Sequence, residues 1–130
     1  MSMSAYRRVL LVAAVIAGPA MGATASEPDI EHGKAAFETM CGVCHSVKVA
    51  GGPKEGPNLL GIVGREAASE PEFAQYTAAL KGSRITWSTE TLDKFLVNPT
   101  AKVPGTSMPM LIQDDKTRGD VVAYLATLKK

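Results

Sequence analysis

Cys41-Gly42-Val43-Cys44-His45 puts two thiols three residues apart, with a histidine directly after the second. The segment before it, Gly33-Lys34-Ala35-Ala36-Phe37-Glu38-Thr39-Met40, reads as helical. On a helix, Cys41, Cys44 and His45 stand at i, i+3 and i+4, on one face. Both sulfurs can then reach the two vinyl groups along one edge of a porphyrin. The imidazole is left under the ring, where histidine is a usual proximal ligand of iron. The spacing therefore reads as a c-type haem attachment site.

Three other chemistries share parts of this pattern. A zinc ribbon needs four ligands, usually from two such pairs, and the chain has only two cysteines. A thioredoxin-like Cys41–Cys44 pair should follow a strand in a βαβ unit, whereas a helical segment precedes it here. A structural disulfide across two residues closes too short a loop to stabilise much.

Upstream, Arg7 and Arg8 form a positive start and Val9 to Ala17 an apolar run. Gly18-Pro19 breaks that run, and Ala23-Thr24-Ala25 offers a small-residue cleavage site. Residues 1–25 thus read as a secretory signal peptide that is removed, with cleavage after Ala25 or nearer Gly22. Nine apolar residues are too few to span a bilayer as a helix. The Arg pair before Val9-Leu10-Leu11 also matches a twin-arginine start, but ordinary leaders carry arginines too.

The whole chain has 14 basic and 13 acidic residues. Losing Arg7 and Arg8 leaves 12 against 13, a net charge near −1. Such a balance excludes a basic nucleic-acid-binding surface. Residues 26–130 make one domain. Its six remaining aromatic residues give little core, which a large buried cofactor would complete.

Along the domain, a first helix is expected from about Asp29, its N-cap, to Cys44, with Gly33, Phe37 and Met40 on the inner stripe. His32, near its start, reads as a solvated surface residue. Ser46 to Gly64 is punctuated by glycine and proline and reads as loop. Local spacing predicts a helix over 69–81, with Ser69 as cap, Pro71 early, and Phe73, Tyr76, Thr77 and Leu80 at three- and four-residue intervals. Ser88 should cap the next helix, with Glu90 suiting its dipole, Leu92, Phe95 and Leu96 facing in, and Asn98-Pro99 ending it. Thr100 to Pro109 reads as an ordered loop. A last helix should begin near Asp114 or Asp115 and turn Val121, Val122, Leu125 and Leu128 inward. No strand pattern or internal repeat is present.

A second iron ligand must come from elsewhere. Met40 abuts Cys41 and cannot cross the ring, leaving Met108 and Met110. A loop methionine is often core filler, but opposite a haem histidine a thioether is the usual partner, favouring ferrous iron and raising the potential.

With these segments in place, the chain resembles a class I cytochrome c, similar in plan to the mitochondrial cytochromes and their bacterial relatives. The likeness covers nearly all of residues 31–130. It is carried by the haem motif, by Gly56-Pro57-Asn58-Leu59 with Gly61 and Gly64-Arg65, by Ile85-Thr86-Trp87 and Asn98-Pro99, and by Val103-Pro104-Gly105-Thr106-Ser107-Met108. The resemblance implies an all-α fold, with N- and C-terminal helices crossing at Gly33, Phe37 and Tyr124 and loops wrapped around one covalently bound haem. It implies that Cys41 and Cys44 carry the haem c, that His45 and Met108 are the axial ligands, and that the Pro57 carbonyl holds the His45 ring N–H. It would place Arg65, Tyr76 and Trp87 around the haem propionates. It also implies a loop, only partly helical, over 73–80.

One departure bears on partners. Where mitochondrial members carry lysines beside the haem edge, this chain has Thr100, Ala101 and Ser107, with Lys54 and Lys102 remaining. Charge steering toward an acidic oxidase is weakened accordingly. The expected protein is a periplasmic mono-haem carrier of single electrons, not an enzyme, since no proton donor, nucleophile or open iron position is evident. Its partners would be periplasmic or membrane-bound redox proteins: a dehydrogenase, a cytochrome bc1 complex or a terminal oxidase, met as a monomer or in transient complexes. Alternatives are a dedicated electron-accepting subunit of a periplasmic dehydrogenase, a haem gas sensor or peroxidase, and a thiol–disulfide oxidoreductase.

Overall fold

The computed structural model describes residues 26–130, together with Gly18. The signal peptide assigned to residues 1–25 lies outside that described part. Five helices follow in order: α1 (Ile30–Met40), α2 (Ala78–Gly82), α3 (Thr89–Val97), α4 (Pro99–Lys102) and α5 (Asp115–Thr127). Among the described residues the β content is one isolated antiparallel bridge, Glu66 to Thr86. The fold is the all-α arrangement expected.

The helix starts follow local chemistry. Asp29 accepts from the His32 N–H, Ser88 from the Thr91 N–H and Asp114 from the Thr117 N–H. Each satisfies a donor that the first turn leaves unpaired. At Ser88 the bond is reciprocal, because the Thr91 hydroxyl accepts from the Ser88 N–H at 2.7 Å.

Three boundaries differ from the sequence expectation. Helix α1 stops at Met40 rather than Cys44, as the Cys41 and Gly42 N–H groups both close on the Phe37 carbonyl. The haem-type motif forms its own turn, with the His45 N–H donating to the Cys41 carbonyl at 2.9 Å. Residues 69–77 are not helical. The Ser69 hydroxyl donates to the Glu66 carbonyl instead of capping, and the Glu70 N–H goes to the Tyr76 hydroxyl. Thr77 is the cap, and only Ala78–Gly82 is helical, which is the partly helical loop that the resemblance implied rather than the helix that local spacing predicts. Finally, Asn98 ends α3 and also caps the short α4, with Pro99 in its first turn.

The core sits where α1 crosses α5. Phe37 and Val121 are almost fully enclosed there, and the Phe37 and Tyr124 rings lie 5.7 Å apart. A Cβ on Gly33 would meet the Asp120 carbonyl oxygen at 2.0 Å. Main chain meets main chain at that point, so no side chain fits.

The same crossing is pinned by a buried carboxylate. Asp120 accepts from the Asp29 N–H at 2.8 Å, from Lys116 Nζ at 2.8 Å and from His32 Nδ1 at 2.6 Å. His32 is therefore not simply solvated, but ties the start of α1 to α5. Lys116, then His32, then the Asp29 N–H hold the Asp120 carboxyl well below the usual carboxylate range. On the other side of α5, buried Arg118 bonds the Ile112 carbonyl, Asp93 and Asp115, joining α5 to α3.

Two outcomes follow for stability. Gly33→Val should lower the urea midpoint severely, because backbone cannot yield as a side chain would. Phe37→Ala should cost about 3–5 kcal/mol, the usual range for truncating a buried Phe; near-wild-type midpoints in both would place the crossing elsewhere. For Asp120, the depressed folded pKa means the unfolded chain takes up the proton first as pH falls. Its stabilisation is complete above about pH 4, the ordinary Asp range, and is lost as pH drops toward the folded value. Asp120→Asn should thus be less stable than wild type at neutral pH, with the gap closing below about pH 3 in acid-denaturation curves.

Candidate functional site

The turn at Cys41–His45 does not join the two cysteines to each other, and it places Cys41 buried and Cys44 exposed. Burial, aided by Cys44, pushes the Cys41 thiol up to about 11. A thiol–disulfide catalyst needs the opposite, a depressed and accessible thiolate. Among the described residues, no group of three or more His, Cys, Asp or Glu is placed to hold a metal ion.

His45 is oriented from the following loop. Its Nδ1 lies 2.8 Å from the Pro57 carbonyl, so Nδ1 carries the proton and donates. That tautomer leaves the Nε2 lone pair free to bind a metal. Burial lowers the His45 pKa, with Lys54 acting in the same direction against the Pro57 contact, which keeps the ring neutral.

The loop can approach this closely because residue 56 is glycine. A Cβ on Gly56 would sit 2.4 Å from His45 Cε1. The Gly56 N–H also donates to the Cys44 carbonyl at 2.8 Å, and Lys54 Nζ to the Gly42 carbonyl at 2.6 Å. Asn58, buried, then fastens the loop to itself. Its amide donates to the Lys48 and Gly51 carbonyls, and its side-chain oxygen accepts from the Leu60 N–H.

Arg65 and Trp87 are brought together by main-chain pairing. The Trp87 N–H donates to the Arg65 carbonyl at 2.8 Å, and the Gly64 N–H to the Trp87 carbonyl at 2.7 Å. The Trp87 ring is buried edge-on against Phe95, centroids 5.0 Å apart. Tyr76 joins through Glu70, whose N–H meets its hydroxyl at 3.3 Å, and burial raises the phenol pKa. Arg65 donates from Nη2 to the Asn58 carbonyl at 2.9 Å and from Nη1 to Glu70 at 2.6 Å. Its Nε is buried with no partner.

The two candidate methionines separate by burial. Met108 is half-buried and packs against the hydrophobic core, whereas Met110 is exposed. The turn closed by the Thr106 N–H on the Val103 carbonyl, and the Thr106 hydroxyl accepting from the Met108 N–H at 3.4 Å, set Met108 inward. An open cleft of about 330 Å³ lies beside Ala79, Ile85, Val103 and Pro104. It holds none of these groups.

The residues fit a covalently held haem. Two thiols share a turn with a neutral imidazole whose Nε2 is free. A thioether faces the core, and an orphaned guanidinium N–H suits a propionate carboxylate, since a buried donor is costly to leave unmade. Gly56, Asn58 and Glu70 carry roles that the sequence analysis did not assign. Gly56 and Asn58 lay in the stretch read as loop and in the string that carries the resemblance; nothing local marks Glu70.

Comparison with known proteins agrees with this geometry. The family profile described as "Cytochrome c" matches residues 30–129. The chain is similar to a cytochrome c of Euglena viridis, 44% identical over 102 residues that span 78% of this chain and 98% of the relative. It is similar to a cytochrome c2 of Rhodomicrobium vannielii, 38% identical over 121 residues, 92% of this chain and 94% of that one. A cytochrome c homolog of Bradyrhizobium diazoefficiens is 38% identical over 117 residues, 83% of this chain and 63% of the relative's length. Members of the matched family bind one covalently attached haem c and transfer electrons with it. This chain belongs to the cytochrome c family.

Proposed function

We propose that the protein is exported, loses residues 1–25, and works in the bacterial periplasm as a mono-haem carrier of single electrons. Its partners would be membrane-bound or periplasmic redox proteins met in transient complexes. The tripartite start of the sequence supports export, and the cytochrome c2 relative fits a bacterial carrier. No described helix is long and apolar enough to cross a membrane.

The observation that carries the reading is the His45 Nδ1 to Pro57 hydrogen bond of 2.8 Å. It presents a neutral Nε2 in the same turn as the two cysteine sulfurs. In this reading Cys41 and Cys44 form the two thioether links, and His45 and Met108 supply the axial nitrogen and sulfur. The bound haem supplies a one-electron ferric/ferrous couple, whose potential a soft thioether ligand raises. Pro57 fixes the imidazole's tautomer and basicity. Arg65 would offer its spare Nε–H to a haem carboxylate, with Tyr76 and Trp87 on the same side. Leu59, Leu80, Ile85 and Met108, packed on the core, keep water from the iron. Held by both His45 and Met108, the haem iron would have no position open to a gas, which would favour electron transfer.

The test is which methionine holds the iron. Met108→Ala should abolish the weak near-infrared sulfur–iron band, lower the midpoint potential and admit carbon monoxide to the ferrous protein. Met110→Ala should leave all three nearly unchanged, and the double variant guards against Met110 replacing Met108. Loss of the band in Met110→Ala alone would overturn the ligand assignment. Ready carbon monoxide binding by the wild type would favour a gas sensor over a carrier.

A further inference from the structure

Glu70 is one of the few acidic residues removed from solvent, with 6% of its surface exposed. Carboxylates this buried are rare unless paired. Here a single oxygen, Oε2, takes two cations: Arg65 Nη1 at 2.6 Å and Lys130 Nζ at 3.1 Å. Arg65 is the residue whose Nε is left buried without a partner. Glu70 therefore grips the guanidinium at Nη1 and the Asn58 carbonyl holds Nη2, so that only Nε–H is left over. Its own N–H meets the Tyr76 hydroxyl, so the same residue positions two of the groups assigned to the propionate side of the haem.

The geometry points to Glu70 as the residue that sets the charge at this site, and through it the midpoint potential, with Lys130 as its second counter-ion. The inference rests on the haem reading above and names what regulates that site. Its physics is a matter of sign. Iron gains one positive charge on oxidation, so a buried anion stabilises the ferric form and lowers the potential, while a cation does the reverse. Glu70 and Arg65 are both well shielded, at 6% and 17% side-chain exposure, and act through a weakly screening interior. Lys130, at 56%, is screened by water and counts for less.

The experiment is spectroelectrochemistry of the haem-loaded protein and two variants. Glu70→Gln keeps the shape and an oxygen for Arg65 but removes the charge; its potential should rise. Lys130→Gln should lower the potential by a smaller amount. A purely structural role would loosen the same loop in both variants and shift both the same way. A fall or no change in Glu70→Gln overturns the inference, as does a rise or no change in Lys130→Gln. The half-exposed position of Lys130 keeps the test decisive should Glu70→Gln fail to fold. The haem spectrum of the wild type reads the underlying assignment separately: without haem both fall, whereas with haem and the wrong signs only this inference does.

Discussion

The hydrogen bond from His45 to the Pro57 carbonyl is the contact on which the rest of the site depends. An imidazole beside two thiols can rotate, tautomerise or take up a proton, and each change would spoil it as a ligand. One backbone carbonyl checks the first two, while burial and Lys54 oppose the third. To bring that carbonyl within reach, the chain must lie flat against the ring at residue 56, which only glycine allows. The loop must then hold that course, which Asn58 achieves by bonding three main-chain groups around itself. The long glycine- and proline-rich segment after the motif is thus an ordered support built for one contact.

Around it, polar staples do much of the work that a larger hydrophobic core would do. Asp120 ties the first helix to the last, Arg118 ties the last to α3, and Glu70 ties Arg65 to Lys130. Buried pairs of this kind add little net stability once desolvation is counted, yet removing one partner is damaging. They define which segments lie together more than how strongly they are held. The apolar contribution is concentrated at Phe37, Tyr124 and Val121, where two main chains approach too closely to admit even a methyl group at Gly33.

What could be read from the sequence follows the range of the interactions. Asp29 and Ser88 were legible as caps, and the start of the last helix to within a residue at Asp114 or Asp115, because a cap bonds a group only two or three residues away. The Cys41–His45 motif was readable as a candidate site because its chemistry is written in adjacent residues, whereas residue patterns left Met108 and Met110 open and the resemblance pointed to Met108. The segment 69–77 misled, since its spacing is helical while its bonds go elsewhere: Glu70 reaches Lys130, sixty positions along. His32 misled in the same way, its partner lying 88 positions away at Asp120. Local pattern has no access to such partners, so Glu70 and Asp120 emerged only from the folded chain. The resemblance to cytochromes supplied Pro57, Arg65, Tyr76 and Trp87 where residue patterns alone would have left ordinary packing.

Everything said of the site rests on haem joined to the chain at one turn. The direct measurement is mass spectrometry of protein purified from its native host, after acid-acetone extraction and digestion. The account predicts a single haem adduct that survives extraction and maps to the peptide holding Cys41 and Cys44. Free thiols, or a bare disulfide between them, would contradict it.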